Sequence, residues 1–175
     1  MVVLWPFGNA LQAQKFSTDK GEIRITSNAQ LELIRASTEK VQGIVDASNN
    51  QFAFLLPVSS FHGFNSDLQR QHFNDNYMES ETFPKASFSG KIIEHIDFNV
   101  DSVYEVRAKG NLDIHGQKQI RIIKGTLTVH NHQLTIDAHF SVPLADHQIS
   151  IPKIVSQKIA TDIEVVFHAV LKPQK

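Results

Sequence analysis

The sequence predicts an all-β domain in which antiparallel strands form a sandwich or a closed barrel, with one short helix between strands. Three observations lead to this fold class. Apolar residues alternate with polar ones in several segments, turn-forming residues separate these segments, and about eight to ten strands fit between the turns. The length of 175 residues suits a single domain.

The clearest strand lies at 104–114, where apolar or small residues alternate with charged and amide residues. The same alternation recurs at 134–142 and 159–171, and more briefly at 23–25 and 52–58. Pro57 indicates a strand end or edge, because proline cannot donate to a β ladder. Gly43, Gly90, Gly110 and Gly125 fall inside strand patterns, where an interior glycine predicts a bulge or a sharp bend.

Tight turns are predicted at 48–50, 115–116 and 131–133, where asparagine, glycine and histidine interrupt the alternation. The segment from Ser66 to Met78 is the one clear helix. Ser66 is suited to the N-cap position, and Gln69 stands three residues later as in a capping box. A second short helix is predicted at 154–157.

The composition excludes several classes of function. The chain has no cysteine, which excludes disulfides, thiolate metal sites and a cysteine nucleophile. A net charge of -1 with scattered basic residues argues against broad electrostatic binding to nucleic acid or to anionic membranes. No stretch approaches the ~20 apolar residues that span a bilayer, so no stable membrane insertion is predicted. Twelve Phe against one Trp and two Tyr suit a dry core or an apolar pocket.

The first fourteen residues resemble the second half of a secretory signal. An apolar run, Val2 to Phe7, precedes a small-residue region at 10–14, although no basic residue comes before Lys15. We therefore predict a truncated signal segment at 1–14, a barrel domain at 15–175, and a periplasmic or secreted protein.

Neither a catalytic nor a metal site is predicted. On a continuous strand His130 and His132 would share a face, but the turn predicted at 131–133 separates them and no third ligand of suitable spacing accompanies them. Ser59 and Ser60 lack the glycine-flanked setting of a hydrolase nucleophile, and no phosphate-binding glycine loop is present. The sequence thus predicts a protein that is not an enzyme and uses no cofactor.

The stretch 61–93, FHGFNSDLQRQHFNDNYMESETFPKASFSGKII, resembles the YceI-like family of lipid- or polyisoprenoid-binding proteins. A second similar piece is 110–116, which looks like the family's G-x-L-x-I-H-G turn, and a third is 140–163. The positions of the first stretch that match the family's pattern are Phe61, Ser66, Leu68, His72, Phe73, Asn76, Tyr77, Glu79, Ser80, Phe83, Pro84, Phe88 and Gly90.

The resemblance implies an antiparallel eight-stranded lipocalin-like β-barrel with one short helix, exported, and holding an isoprenoid or similar long apolar lipid in its cavity. Arg70, His72 and His115 are the candidate contacts for a lipid head group, while structural hydrogen bonds that hold the helix and the turn are the favoured alternative for His72 and His115. The expected cavity residues are Phe52, Phe54, Phe61, Phe64, Phe73, Tyr77, Phe88, Phe140 and Phe167.

Two other functions stay open at this point. An eight-stranded barrel has an interior that is either just filled or able to hold one small ligand. A filled barrel would be a ligand-free interaction or stress-response module. A hydrolase or isomerase acting on a lipid would need a buried carboxylate or histidine with a shifted pKa. The sequence also leaves a homodimer open, although Pro57 and the charged outer faces argue against uncontrolled edge pairing.

Overall fold

The computed structural model describes residues 14–174 as a closed barrel of eight antiparallel strands. Each strand pairs with the next along the chain, and β1 pairs with β8 to close the sheet. The strands are β1 (Lys15–Asn28), β2 (Leu33–Asp46), β3 (Gln51–Pro57), β4 (Lys85–Ile92), β5 (Ser102–Ile114), β6 (Gln117–His130), β7 (Gln133–Pro143) and β8 (Asp162–Pro173). The predicted eight-stranded barrel is confirmed, and closure removes the exposed edges that a sandwich would keep.

The predicted turns connect the strands as expected. His115 and Gly116 have φ angles of 53° and 68°, and Asn131 and His132 have 50° and 57°. Left-handed φ at both central residues is the geometry of a two-residue hairpin turn that matches the twist of the strands. At the turn between β2 and β3, the Asp46 carboxylate accepts a hydrogen bond from the Ser48 backbone N–H (2.9 Å).

One short helix lies between β3 and β4, as predicted, but its second half differs from a regular α-helix. Helix α1 (Asp67–His72) begins after Ser66, whose hydroxyl accepts a hydrogen bond from the Gln69 N–H at 3.1 Å. It continues as a wider π-helical turn over Phe73–Tyr77. The Asn74 amide donates to the Arg70 carbonyl at 3.0 Å and so competes with the backbone for this acceptor. The second predicted helix is a single 3₁₀ turn, Lys153–Val155.

One end of the barrel is closed by an apolar core. Phe16 is fully buried and its ring stacks on Phe98, with ring centroids 5.9 Å apart. Ile96 and Phe98 belong to the connection between β4 and β5, which packs inward at this end. Leu127, Leu134 and Leu171 are fully buried beside them. The opposite end carries the connections at 29–32, 58–84, 115–116 and 144–161.

The bulge or bend predicted at the interior glycines is not a bulge at Gly90 and Gly110, where pairing is continuous. At the other two glycines the ladders are irregular: the β1–β2 register shifts directly after the Thr18–Gly43 pair, and the β6–β7 pairing ends at Gly125. At Gly90 and Gly110 the two neighbouring strands approach so closely that a Cβ atom would collide with backbone. These glycines therefore mark close contacts between strands and not bulges.

The predicted signal segment at 1–14 lies outside the described residues, apart from Gln14. Within 14–174, no helix is long and apolar enough to cross a membrane.

Candidate functional site

A cavity of about 570 Å³ occupies the half of the barrel away from the closed end. Its mouth lies between three segments: the β1–β2 connection, the helical segment after Ser66, and the β7–β8 connection. Most of its lining is aliphatic or aromatic. The volume lies within the range of about 300–1,000 Å³ that is typical of small-molecule sites, and such sites are mostly apolar.

The exposure of inward-facing side chains shows that this half of the barrel is not filled. Ile136, Ala138 and Phe140 of β7 line the cavity but are only half-buried. Leu134, on the same face of the same strand, is fully buried at the closed end. All four side chains point inward. The accessible area of the first three therefore faces the cavity and not the solvent outside the barrel.

All nine residues predicted for the cavity line it: Phe52, Phe54, Phe61, Phe64, Phe73, Tyr77, Phe88, Phe140 and Phe167. Their rings form two groups. Within the barrel wall, Phe52 lies 5.0 Å from Phe88, and Phe54 lies 5.1 Å from Phe167, measured between ring centroids. Beneath the helical segment, Phe73 contacts both Phe61 (5.6 Å) and Phe64 (5.0 Å). Whether these residues contact a ligand stays a prediction.

Polar groups concentrate at the mouth. The Gln69 amide donates to the Glu32 carboxylate at 2.9 Å, which joins the helix to the β1–β2 connection. Lys158 contributes to the lining from the β7–β8 connection. Burial raises the pKa of the Tyr77 phenol, which also contributes to the lining. An apolar interior with a polar opening suits a ligand that has a long apolar chain and a polar end.

The three predicted head-group residues occupy different places. His72 lines the cavity and is exposed at its mouth. Arg70 lies outside this cavity, beside a shallow depression formed with His62, Gly63 and Asp67. His115 does not line the cavity either.

His115 instead forms contacts outside the cavity that join the β5–β6 turn to the segment after the helix and to the β7–β8 connection. Its Nε2 lies 2.5 Å from a carboxylate oxygen of Glu79, just after the helix. Its Nδ1 lies 3.0 Å from the carbonyl oxygen of His147 in the β7–β8 connection. The Phe83 ring packs edge-on against the imidazole at 4.6 Å. The contacts favour the structural role predicted for this side chain over the head-group contact.

Replacing His115 with asparagine tests the two roles. Asparagine tolerates the left-handed φ of this turn but cannot span to both Glu79 and His147. We expect the free energy of unfolding to fall by about 1–2 kcal/mol in chemical denaturation, with lipid affinity unchanged. Lower affinity with unchanged stability would support the head-group role instead. The substitution Glu79→Gln, which keeps the side chain's shape, is the control for the charge of the partner.

The histidine pair at the closed end does not form part of a larger cluster. His130 Nδ1 lies 2.9 Å from the Asp101 carboxylate, at the turn between β6 and β7. Within residues 14–174, no group of three or more histidine, cysteine or acidic side chains is arranged to hold a metal ion.

Sequence reasoning missed much of the aliphatic lining. The period-2 pattern identified many of these residues as inward-facing, but we selected only aromatic ones as site residues. Leu144, Ile149 and Val155 belong to the irregular β7–β8 connection, where no periodicity marks them. The further aliphatic lining includes Ile23, Ile25, Ala86, Ala108, Leu112, Ile114, Ile136, Ala138, Ile163 and Val165.

Solved structures with the same fold come from several bacteria. A polyisoprenoid-binding domain from Saccharophagus degradans superposes with a TM-score of 0.74 at 12% identity, covering 93% of this chain and 100% of that one. BcnA from Burkholderia cenocepacia gives 0.70 at 14% identity, covering 86% and 95%. The YceI protein of Campylobacter jejuni gives 0.64 at 12% identity, covering 85% and 89%. The comparison with curated proteins finds no match.

Fold and cavity together define an eight-stranded antiparallel barrel with an apolar chamber that opens at one end. The sequence profile of the YceI-like domain matches residues 15–171. The chain therefore belongs to the YceI-like family, as its motifs had indicated.

Proposed function

We propose that the protein is an exported carrier that holds an isoprenoid or similar long apolar lipid in its barrel cavity. The observation that carries this proposal is the open apolar cavity of about 570 Å³, lined by two groups of phenylalanine rings. A prenyl chain gains about 0.8 kcal/mol for each buried CH₂ group, so such a chamber retains it without specific polar contacts. The Saccharophagus degradans domain, described as polyisoprenoid-binding, has the same fold.

Binding, and not catalysis, fits the distribution of polar groups. Glu32, His72 and Lys158 lie at the mouth, whereas the side chains that point inward from the middle of the strands are apolar. An acid–base reaction on the lipid chain would need a titratable group positioned among these side chains. We propose the periplasm or the extracellular medium as its location, on the basis of the signal-like pattern at 1–14.

Native mass spectrometry followed by lipid extraction tests the proposal. We expect the purified protein to carry a co-purifying lipid, and the extract to contain species separated by the mass of an isoprene unit, chemically unchanged by incubation with the protein. A mock purification from cells without the protein provides the background. A clean apo mass, with no uptake when prenyl lipids are offered, would contradict the carrier function and favour a ligand-free interaction module.

A further inference from the structure

The mouth of the cavity is surrounded by large apolar side chains that point into solvent. Leu31 and Leu33, at the β1–β2 connection, are 63% and 41% exposed. Leu68 in α1 is 60% exposed, and Ile154 in the β7–β8 connection is 92% exposed. We call these four residues the apolar rim. Exposed apolar residues are normal when scattered, but a contiguous group around an opening indicates an interaction site.

Hydrogen bonds between the three segments hold the rim together. The Leu31 N–H donates to the Gln157 carbonyl at 2.8 Å, joining the β1–β2 and β7–β8 connections. The Asn65 amide donates to the Leu33 carbonyl at 3.1 Å, joining the β1–β2 connection to the start of the helix. The rim is therefore one assembled surface and not three independent loop tips.

The net charge of the chain is -1 and Asp67 lies beside Leu68, but the β7–β8 part of the rim carries charges suited to an anionic surface. The segment 151–159, IPKIVSQKI, carries two lysines and no acidic residue, and Ile154 lies between them. Lys153 and Lys158 are both exposed. The nearby Glu32 carboxylate is occupied by hydrogen bonds from the Gln69 and Asn65 amides.

We propose that the apolar rim docks on a lipid bilayer that contains anionic phospholipid, with the cavity mouth facing the membrane. This proposal rests on the proposed carrier function and names the surface with which the carrier exchanges its lipid. The rim would enter the interface shallowly while the two lysines contact phosphate groups. Leu68 belongs to both the rim and the cavity lining, so it connects the docked surface with the apolar wall of the cavity.

A bilayer fits this surface better than a protein partner. The rim surrounds an opening, so the centre of any contact would be the cavity mouth. Protein interfaces concentrate their binding energy in a packed centre, which a hole cannot supply. A fluid bilayer needs no such centre, since its acyl chains adapt to separate apolar side chains.

Vesicle flotation tests the docking with variants outside the cavity lining. We expect the protein to float with phosphatidylcholine–phosphatidylglycerol vesicles and to bind pure phosphatidylcholine vesicles more weakly. The double variant Leu31→Ser, Ile154→Ser should lower the partition coefficient about a hundredfold. Lys153→Gln should lower it about fivefold on the anionic vesicles only. The matched controls are Val100→Ser with Val103→Ser at the closed end, 54% and 63% exposed, and Lys109→Gln on the outer wall.

A second measurement separates docking from lipid binding. Uptake of a soluble fluorescent prenyl analogue, measured without vesicles, should be equal in the wild type and the Leu31→Ser, Ile154→Ser variant. Normal uptake with no vesicle binding, or with equal vesicle binding by wild type and rim variant, would overturn the docking proposal. Vesicle binding that depends on the rim, without any uptake of the analogue, would support docking and contradict the carrier function.

Discussion

Replacing Ala138 with phenylalanine is expected to lower the affinity for a prenyl lipid about a hundredfold while leaving the barrel folded. Ala138 lines the cavity and lies directly opposite Gly125 on β6, so the wall is thin at this point. A phenyl ring here would occupy the space of several ligand methylenes, each contributing about 0.8 kcal/mol. A loss of about 2.7 kcal/mol of binding free energy corresponds to a hundredfold weaker affinity.

Stability gives a second readout from the same variant. In a filled interior, an added phenyl ring would cost about 1–3 kcal/mol through overpacking. In the open cavity the ring gains contacts with two neighbours. Phe140 lies two residues further along β7, and Phe167 is the cross-strand partner of residue 138 on β8. We therefore expect the free energy of unfolding of the apo protein to stay equal or to rise, measured by urea denaturation.

The same substitution on the outer wall is the matched control. Ala53 of β3 is exposed, and Ala53→Phe adds the same ring without entering the cavity. It should change neither lipid affinity nor the stoichiometry of binding in a fluorescence titration. Unchanged affinity in Ala138→Phe, or a loss of stability comparable to overpacking, would contradict an open cavity that binds lipid.

The inward face of the barrel could be predicted because side chains alternate along a strand. Ile136, Phe140 and Phe167 follow the period-2 pattern, and a shift by one residue would have placed polar side chains inside. The aromatic part of the lining followed from this pattern and from the family motif. The α1 N-cap was predictable for a local reason as well, since the capping box involves only Ser66 and its near neighbours.

Other features depend on relations that no local pattern encodes. Alternation left a sandwich or a barrel open, because closure depends on the long-range pairing of β1 with β8. Whether the interior is filled depends on the sum of many side-chain volumes against the barrel's diameter. The contacts of His115 also depend on tertiary structure, since Glu79 and His147 lie 36 and 32 residues away in the sequence.

The wrong bulge prediction at Gly90 and Gly110 has the same origin. A glycine inside a strand indicates either a bulge or the close approach of another chain segment, and sequence does not distinguish the two. Gly90 and Gly110 are direct cross-strand partners in an unbroken β4–β5 ladder. At each glycine the other strand occupies the space that a Cβ would need. This constraint depends on the relative position of the two strands, so neither strand's sequence encodes it alone.

Replacing Gly90 with alanine should therefore destabilise the barrel by about 3–5 kcal/mol, the range of severe single substitutions. Its Cβ would lie 2.1 Å from the carbonyl oxygen of Lys109 and 2.5 Å from the Cα of Gly110. Both obstacles are backbone atoms, so relief requires the strands to separate and their hydrogen bonds to lengthen. Thermal and urea unfolding should show the loss, while the exposed neighbour Ser89→Ala serves as a control with little effect.

Gly43 provides the decisive comparison, because its obstacle is a side chain. A Cβ at Gly43 would lie 2.0 Å from the Phe54 ring, a side chain that lines the cavity. Gly43→Ala should therefore cost only about 1–2 kcal/mol, and Phe54→Leu should restore part of this loss in the double variant. No substitution of the Lys109 side chain should rescue Gly90→Ala, since a carbonyl oxygen is the obstacle there. Two results would contradict close backbone approach as the reason for glycine at the β4–β5 contact. One is an equal loss of unfolding free energy in Gly90→Ala and Gly43→Ala, and the other is rescue of Gly90→Ala by a side-chain substitution.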